Sequence, residues 1–152
     1  MTQSLLETVL RDVRATLTEL VAAAHEQYAA LAAGDHRRLE SVTSHQERLS
    51  AQLERFERKR IAVLAGKSLN EAIAELPRDA AQSARELNDA IAAAVRDLQA
   101  LNRRTTSLLQ RSIELTSQTL HFMQRIVTGQ PAAYGRRGVN KAMQSLLVDS
   151  RA

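Results

Sequence analysis

Residues 87–126 read LNDAIAAAVRDLQALNRRTTSLLQRSIELTSQTLHFMQRI, and this stretch contains the pattern that decides the fold. Apolar or small side chains return along it at alternating spacings of four and three residues. The positions are Leu87, Ile91, Ala94, Leu98, Leu101, Thr105, Leu108, Ser112, Leu115, Thr119, Phe122 and Ile126. Because this alternation keeps one face of an α-helix against a neighbouring helix, it predicts a long coiled-coil helix with a helical partner.

Glycine and proline divide the rest of the chain into helical intervals. They stand only at Gly34, Gly66, Pro77, Gly129, Pro131, Gly135 and Gly138. Gly34 suits the left-handed position after a helix end, and Asp35 suits the cap of the next helix. Ser68 and Glu71 have capping-box spacing, which predicts a short helix in a hinge-like connector before Pro77. The predicted helices are residues 2–33, 35–65 and 78–128, with the short helix at 69–76.

The first two long helices also carry apolar seams. The second helix has Leu39, Val42, Gln46, Leu49, Leu53, Phe56, Arg60 and Val63, and the first has Leu6, Val9, Val13, Leu17, Leu20, Ala24, Tyr28 and Leu31. Short connectors place consecutive helices antiparallel, so we predict an all-α fold, an antiparallel three-helix coiled-coil bundle with a long C-terminal helix. The bundle occupies residues 1–129, and residues 130–152 form a flexible, partner-binding tail. A dimer of long helical hairpins stays open, since a seam does not reveal whether its partner belongs to the same chain.

Composition indicates a soluble cytoplasmic protein. Hydrophobic residues make up 44% of the chain and aromatic residues 3%, and there is no cysteine. A chain without cysteine has neither disulfides nor thiolate zinc sites, which fits the reducing cytosol. The N-terminus lacks the features of a secretory signal, and no apolar stretch approaches the ~18 residues of a membrane span, so we expect no stable membrane insertion.

The sequence does not favour an enzyme or a nucleic-acid-binding protein. It has no Gly-rich phosphate loop and no nucleophile elbow, and no histidine has a glutamate three positions before it. We therefore expect no catalytic residues, no metal site and no cofactor. Most of the net charge of +4 lies in the tail, with Arg136, Arg137, Lys141 and Arg151 against Asp149, while arginines along the helices are interleaved with acids, a pattern typical of a solvated surface.

A length mismatch predicts an interaction surface near the end of the third helix. The first helix covers about thirty residues of the third, roughly Leu87 to Ser117 if the start of the heptads sets the register. Five apolar residues beyond that range make the helix apolar over a wider arc than one seam needs: Leu120, Phe122, Met123, Ile126 and Val127. Such an arc indicates an interface, or a surface that the Gly34 connector or a folded-back tail covers.

The tail carries a second helix-like pattern. Asn140 is a candidate cap, and Met143, Leu146 and Leu147 share one face. About ten residues are too few for a stable isolated helix, so we expect this segment to order by docking. The tail also contains Tyr134, one of only two tyrosines in the chain.

Two segments resemble the FlgN-type flagellar export chaperones. Residues 25–60, HEQYAALAAGDHRRLESVTSHQERLSAQLERFERKR, resemble that family's first helical turn-around and its Leu-spaced, Glu- and Arg-rich second helix. Tyr134, followed by Gly135 and Gly138, is similar to the family's C-terminal tyrosine and its flanking glycines. The resemblance is one of helices and turns, and it covers nearly the whole chain.

The resemblance implies a cytoplasmic chaperone that binds hook-associated proteins of the hook-filament junction, prevents their premature assembly and delivers them to the type III export gate. It implies a gate-docking role for Tyr134. The apolar residues near the end of the third helix, with Met143, Leu146 and Leu147, are then the candidate cargo contacts. Two other interpretations remain, a structural or adaptor coiled-coil protein that forms a homodimer and a basic RNA-binding regulator.

Overall fold

The computed structural model describes residues 2–129, with side chains from residue 5 onward, and this part of the chain forms four α-helices. They are α1 (Thr2–Ala33), α2 (His36–Leu64), α3 (Leu69–Ala74) and α4 (Arg78–Thr128). The described residues contain no strand. The predicted all-α helical bundle with a long C-terminal helix is therefore confirmed. The predicted tail at 130–152 lies outside the described residues.

A tight turn reverses the chain between α1 and α2. Gly34 has φ +67°, and its N–H donates to the carbonyl of Leu31 at 3.2 Å, while the N–H of Asp35 donates to Ala30 at 3.0 Å. These two bonds form a Schellman motif, which requires a left-handed residue at Gly34. The Asp35 carboxylate accepts the N–H of Arg38 and caps α2. The helix stop and the helix start are thus encoded in two adjacent residues.

The connector between α2 and α4 is part of the core, so the predicted hinge is wrong. Ser68 and Glu71 form the predicted capping box, with each side chain accepting the other residue's backbone N–H. The helix that they open is short, but its Ile73 side chain is only 3% exposed. Ile73 packs in one cluster with residues of the long helices: Leu6, Leu10, Leu64, Ala81, Ala84 and Leu87. We conclude that α3 closes this end of the bundle with buried apolar surface.

The seam of α1 packs against both α2 and α4. All the predicted α1 positions from Leu6 to Ala24 are buried, and Leu10, Thr16, Ala23 and Ala30 are buried beside them. A second cluster joins the three long helices at mid-height: Val9, Val13, Leu17, Leu20, Ala23, Val42 and Leu49, with Leu53, Phe56, Ala94 and Leu98 packed against it. The buried arc of α1 is wider than a single heptad seam because α1 meets two helices.

The register between α1 and α4 differs from the predicted one. The Ser83 hydroxyl donates to Glu7 at 3.1 Å, a sequence separation of 76, and Arg104 lies 4.9 Å from the Tyr28 ring at the same separation. The two helices therefore run in the same direction, with α2 antiparallel to both. Buried positions of α4 begin at Ala81 and end at Thr105, whereas the sequence suggested coverage from Leu87 to Ser117. Coverage begins earlier because alanines at 81 and 84 fill the first two turns of the seam.

The chain divides into two compact units, Met1–Thr105 and Thr106–Ala152. The first unit contains α1, α2, α3 and the buried part of α4, and both apolar clusters lie within it. Of the second unit, residues 106–129 are described, and they are helical to Thr128. Gly129 follows with φ +63° and donates its N–H to Ile126. The described part of the second unit is therefore a helical segment followed by a glycine.

Candidate interaction surface

The helical segment 106–128 exposes a continuous set of large apolar side chains. Exposure ranges from 43% at Leu109 to 85% at Val127, and Phe122 is 57% exposed. The whole set is Leu109, Ile113, Leu115, Leu120, Phe122, Met123, Ile126 and Val127, and we call it the α4 apolar face. All five residues that the sequence placed in an interaction surface on this helix belong to the α4 apolar face and are exposed. An apolar surface of this kind on a water-exposed helix is typical of an interface.

The α4 apolar face consists of two parallel stripes. At 3.6 residues per turn, Leu115, Phe122 and Ile126 continue the heptad seam, and we call them the seam stripe. Leu109, Ile113, Leu120 and Val127 form a second stripe roughly 120° further around the helix. Met123 lies between the stripes. Together they occupy an arc of about 180°, half of the helix circumference.

Hydroxyl groups between the stripes are turned inward onto the helix backbone. Ser112 donates to the carbonyl of Leu108 at 3.0 Å, Thr116 to Ser112 at 2.9 Å and Thr119 to Leu115 at 2.9 Å. Each bond spans one helical turn and satisfies the hydroxyl within the helix. The threonine methyl groups then contribute to the face, so its polar residues do not interrupt the apolar surface.

The two borders of the α4 apolar face differ in charge. Arg111, Gln118 and Arg125 follow one another at heptad spacing directly beside the seam stripe. The border beside the second stripe is neutral, with Thr106, Ser117 and Gln124. Within residues 5–129, neither Arg111 nor Arg125 forms an ion pair, and Nε and Nη1 of Arg125 are shielded from solvent with no hydrogen-bond acceptor. One border therefore carries a column of two arginines, Arg111 and Arg125, that pair with no carboxylate of residues 5–129.

Sequence analysis missed part of this surface. Leu109, Ile113 and Leu115 were assigned to the segment that α1 covers, yet they are at least 43% exposed. The signal that identifies them is the alanine pair Ala81 and Ala84 at the start of α4. These alanines shift the buried segment of α4 toward its N-terminus, so residues 109–115 lie beyond it. The remaining predicted site residues lie outside the described residues: Tyr134, Met143, Leu146 and Leu147.

Other surfaces of the described residues offer weaker sites. A groove of about 310 Å³ between α1 and α2 has Ala22 and Val42 in its floor, with Glu19, Glu26 and Arg48 among its lining residues. Its carboxylates lie on α1 and its basic groups on α2. Within residues 2–129 no three His, Cys, Asp or Glu residues are grouped as metal ligands. In the same range no helix is long and apolar enough to cross a bilayer.

In the basic run 54–60 (ERFERKR) near the end of α2, two of the four basic side chains pair with acids of the same helix. Arg58 pairs with Glu54 at 3.1 Å, and Arg60 pairs with Glu57 at 2.9 Å. Lys59 lies 5.4 Å from the centroid of the Phe56 ring. These contacts along one helix are typical of a solvated coiled-coil surface.

Comparison with known proteins gives one family. The family model described as FlgN protein matches residues 1–142 of the chain. No curated protein and no solved structure matches the chain significantly. The family match includes the whole described structure and continues past Tyr134 into the tail.

Proposed function

This chain belongs to the FlgN protein family, a family of flagellar export chaperones, and from that premise we propose that it serves the hook-filament junction. In this proposal the chain binds hook-associated proteins in the cytoplasm, prevents their premature assembly and delivers them to the type III export gate. The general role, flagellar export chaperone rather than enzyme, follows from the family. The cargo, the gate contact and the compartment are the proposed parts.

The observation that carries the proposal is the exposed α4 apolar face. Proteins that assemble through amphipathic terminal helices need a partner that covers the apolar side of those helices before assembly. Segment 106–128 offers an apolar arc of about 180° on a helix, a surface that such amphipathic helices pack against. Leu120, Phe122, Met123, Ile126 and Val127 are its cargo contacts in this proposal. Met143, Leu146 and Leu147 of the tail extend the contact when the tail orders on cargo.

A chaperone must also release its cargo, and the tail supplies a physical reason. If residues from Asn140 onward fold only when bound, ordering them costs ~2 to 5 kcal/mol of the gross interaction energy. That cost lowers the net affinity without reducing the contact surface. Tyr134 lies between the helix and this segment in the sequence, where we assign it to contact with the export gate.

The proposal is tested by mixing the purified full chain with purified hook-filament junction proteins of its source organism. We expect a stable complex in size-exclusion chromatography and loss of self-association of the junction protein. A variant truncated after Gly129 keeps the α4 apolar face and lacks the tail, so we expect weaker but detectable binding. Failure of the full chain to retain any junction protein would contradict the proposed cargo.

A further inference from the structure

The width of the apolar arc on α4 indicates how many helices cover it. In the first unit, the buried positions Ala81, Ala84, Leu87, Leu101 and Thr105 span an arc of about 160°. Side chains of α1 and α2, with Ile73 of α3 at one end, form the apolar clusters that α4 joins through Ala81, Ala84 and Leu87 and, further along, through Ala94 and Leu98. In segment 106–128 the α4 apolar face spans about 180°. A single helix covers a seam of heptad positions, so one helix leaves the second stripe in water.

We infer that the partner covers the α4 apolar face with two helices at once, an acidic one along the seam stripe and an uncharged one along the second stripe. The inference rests on the proposed function, because it specifies the form in which cargo binds. The complex then continues in segment 106–128 the three-helix arrangement that α1, α2 and α4 make in the first unit.

The arginine column determines which of the two helices is acidic. Arg111 and Arg125 border the seam stripe and have no carboxylate partner within residues 5–129. Arg104, one heptad earlier in the same column, stacks over Tyr28 of a covering helix. The column therefore faces a neighbouring helix where one is present. Carboxylates at heptad spacing on the partner would pair with Arg111 and Arg125, while the neutral border at Ser117 and Gln124 requires no charge.

Charge disfavours a second copy of this chain as the occupant. In an antiparallel pair of α4 segments, the columns flanking the two seams face each other, so arginine would meet arginine. In a parallel pair, Arg111 and Arg125 would face the apolar second-stripe side of the other copy. Neither arrangement provides the carboxylates that the column lacks.

Charge also disfavours the chain's own tail as the occupant. Residues 130–152 contain four basic residues, Arg136, Arg137, Lys141 and Arg151, and a single acid, Asp149. The apolar residues Met143, Leu146 and Leu147 form one short row at helical spacing. One such row packs against only one of the two stripes of the α4 apolar face and leaves the other stripe exposed.

The test uses two synthetic probes and the full chain in isothermal titration calorimetry. One probe is a single amphipathic helix with leucines at seam positions and glutamates at heptad spacing. The other is an antiparallel hairpin that joins the same helix to an uncharged amphipathic helix. We expect the hairpin to bind at least ~10-fold more tightly than the single helix. Equal affinities of the two probes would overturn the inference.

Variants of each stripe locate the two helices. Ile113→Ser with Leu120→Ser interrupts the second stripe at its two central residues. We expect this variant to bind the hairpin ~10-fold more weakly and to bind the single helix with unchanged affinity. Leu115→Ser with Phe122→Ser removes the seam stripe and should weaken binding of both probes. Gln110→Ser, on the opposite, polar side of the same helix, is the control. Hairpin binding that is insensitive to the second-stripe variant would contradict a second helix.

Charge reversal tests the acidic helix separately. Arg111→Glu with Arg125→Glu should weaken binding of the glutamate hairpin, and a hairpin with lysines in place of the glutamates should restore it. Failure of the lysine hairpin to restore binding would contradict the assigned pairing. Because the probes contain no flagellar sequence, tight hairpin binding without retention of junction proteins would refute the proposed cargo and still support the two-helix surface.

Discussion

At the scale of single residues, two buried threonines show how hydrogen bonding decides the cost of a polar group in this core. Thr16 is 1% exposed and donates its hydroxyl to the carbonyl of Asp12 at 3.0 Å. Thr105 is 7% exposed, and its hydroxyl oxygen is shielded from solvent without a hydrogen-bond partner in the part of the chain that the structure describes. A buried polar group that lacks a partner loses its hydration without compensation.

We therefore expect Thr105→Val to raise the free energy of unfolding by about 1 kcal/mol, since valine has nearly the same shape and no hydroxyl. The matched variant Thr16→Val gives up an existing hydrogen bond and should not stabilise the chain. Urea denaturation monitored by far-UV circular dichroism measures both. Equal shifts of the two variants would show that the Thr105 hydroxyl is satisfied in solution.

We propose an individual role for Tyr134 as well, and here the family resemblance supplies the argument. We predict that Tyr134→Ala leaves the affinity for junction proteins unchanged and reduces their secretion from flagellated cells. The two readouts are binding in vitro with purified proteins and junction protein in the culture supernatant. Loss of both binding and secretion would remove the separation between cargo contact and gate contact.

At the scale of elements, the capping box of α3 makes one end of the bundle sensitive to pH. The Ser68 backbone N–H donates to the Glu71 carboxylate at 2.7 Å, and this bond, with the Ser68 side chain and the charge of Lys67, lowers the pKa of Glu71 from its ordinary value. A carboxylate with a lowered pKa in the folded state contributes stability above its unfolded pKa, and this contribution disappears as pH falls through the folded value.

We therefore expect wild type to be more stable than Glu71→Gln at neutral pH, and the difference to shrink as pH falls below about 4.5. Glutamine keeps the capping hydrogen bond and lacks the charge, so the comparison isolates ionisation. Melting temperatures of both proteins between neutral pH and pH 3 measure the effect. A difference that is independent of pH would contradict the assigned cause. Glu75→Gln, which removes only the exposed contact with Lys67, is the control.

Sequence patterns predicted the helices and their buried faces because leucine spacing and glycine positions are local signals. Gly34 and Asp35 predicted the turn between α1 and α2, and Ser68 and Glu71 predicted the short helix α3. The register of α4 was wrong, since Ala81 and Ala84 pack closely but have weak hydrophobicity in a pattern dominated by leucine. Leu109 and Ile113 were missed for the same reason. The connector was interpreted as a hinge because burial of Ile73 depends on side chains far away in the sequence, such as Leu6.

At the scale of the whole molecule, the described residues comprise a bundle with its own apolar core and a helical segment with an exposed apolar face. The first unit buries its seams among its own helices, and the α4 apolar face belongs to the second unit. An exposed apolar face would also suit a homodimer, so the oligomeric state of the free chain distinguishes the chaperone interpretation from the adaptor interpretation. We expect the free chain to sediment as a monomer at micromolar concentration, because arginine columns face each other in an antiparallel pair. Concentration-dependent sedimentation toward a dimer would favour the adaptor interpretation.

The measurement that tests the central claim most directly compares Phe122→Asp with Gln110→Asp for binding to purified hook-filament junction proteins. Phe122 lies in the seam stripe of the α4 apolar face, and Gln110 lies on the opposite, polar side of the same helix. We predict that Phe122→Asp abolishes binding while far-UV helicity and melting temperature stay at wild-type values, and that Gln110→Asp binds normally. Undiminished binding by Phe122→Asp would contradict the claim that this face holds the cargo.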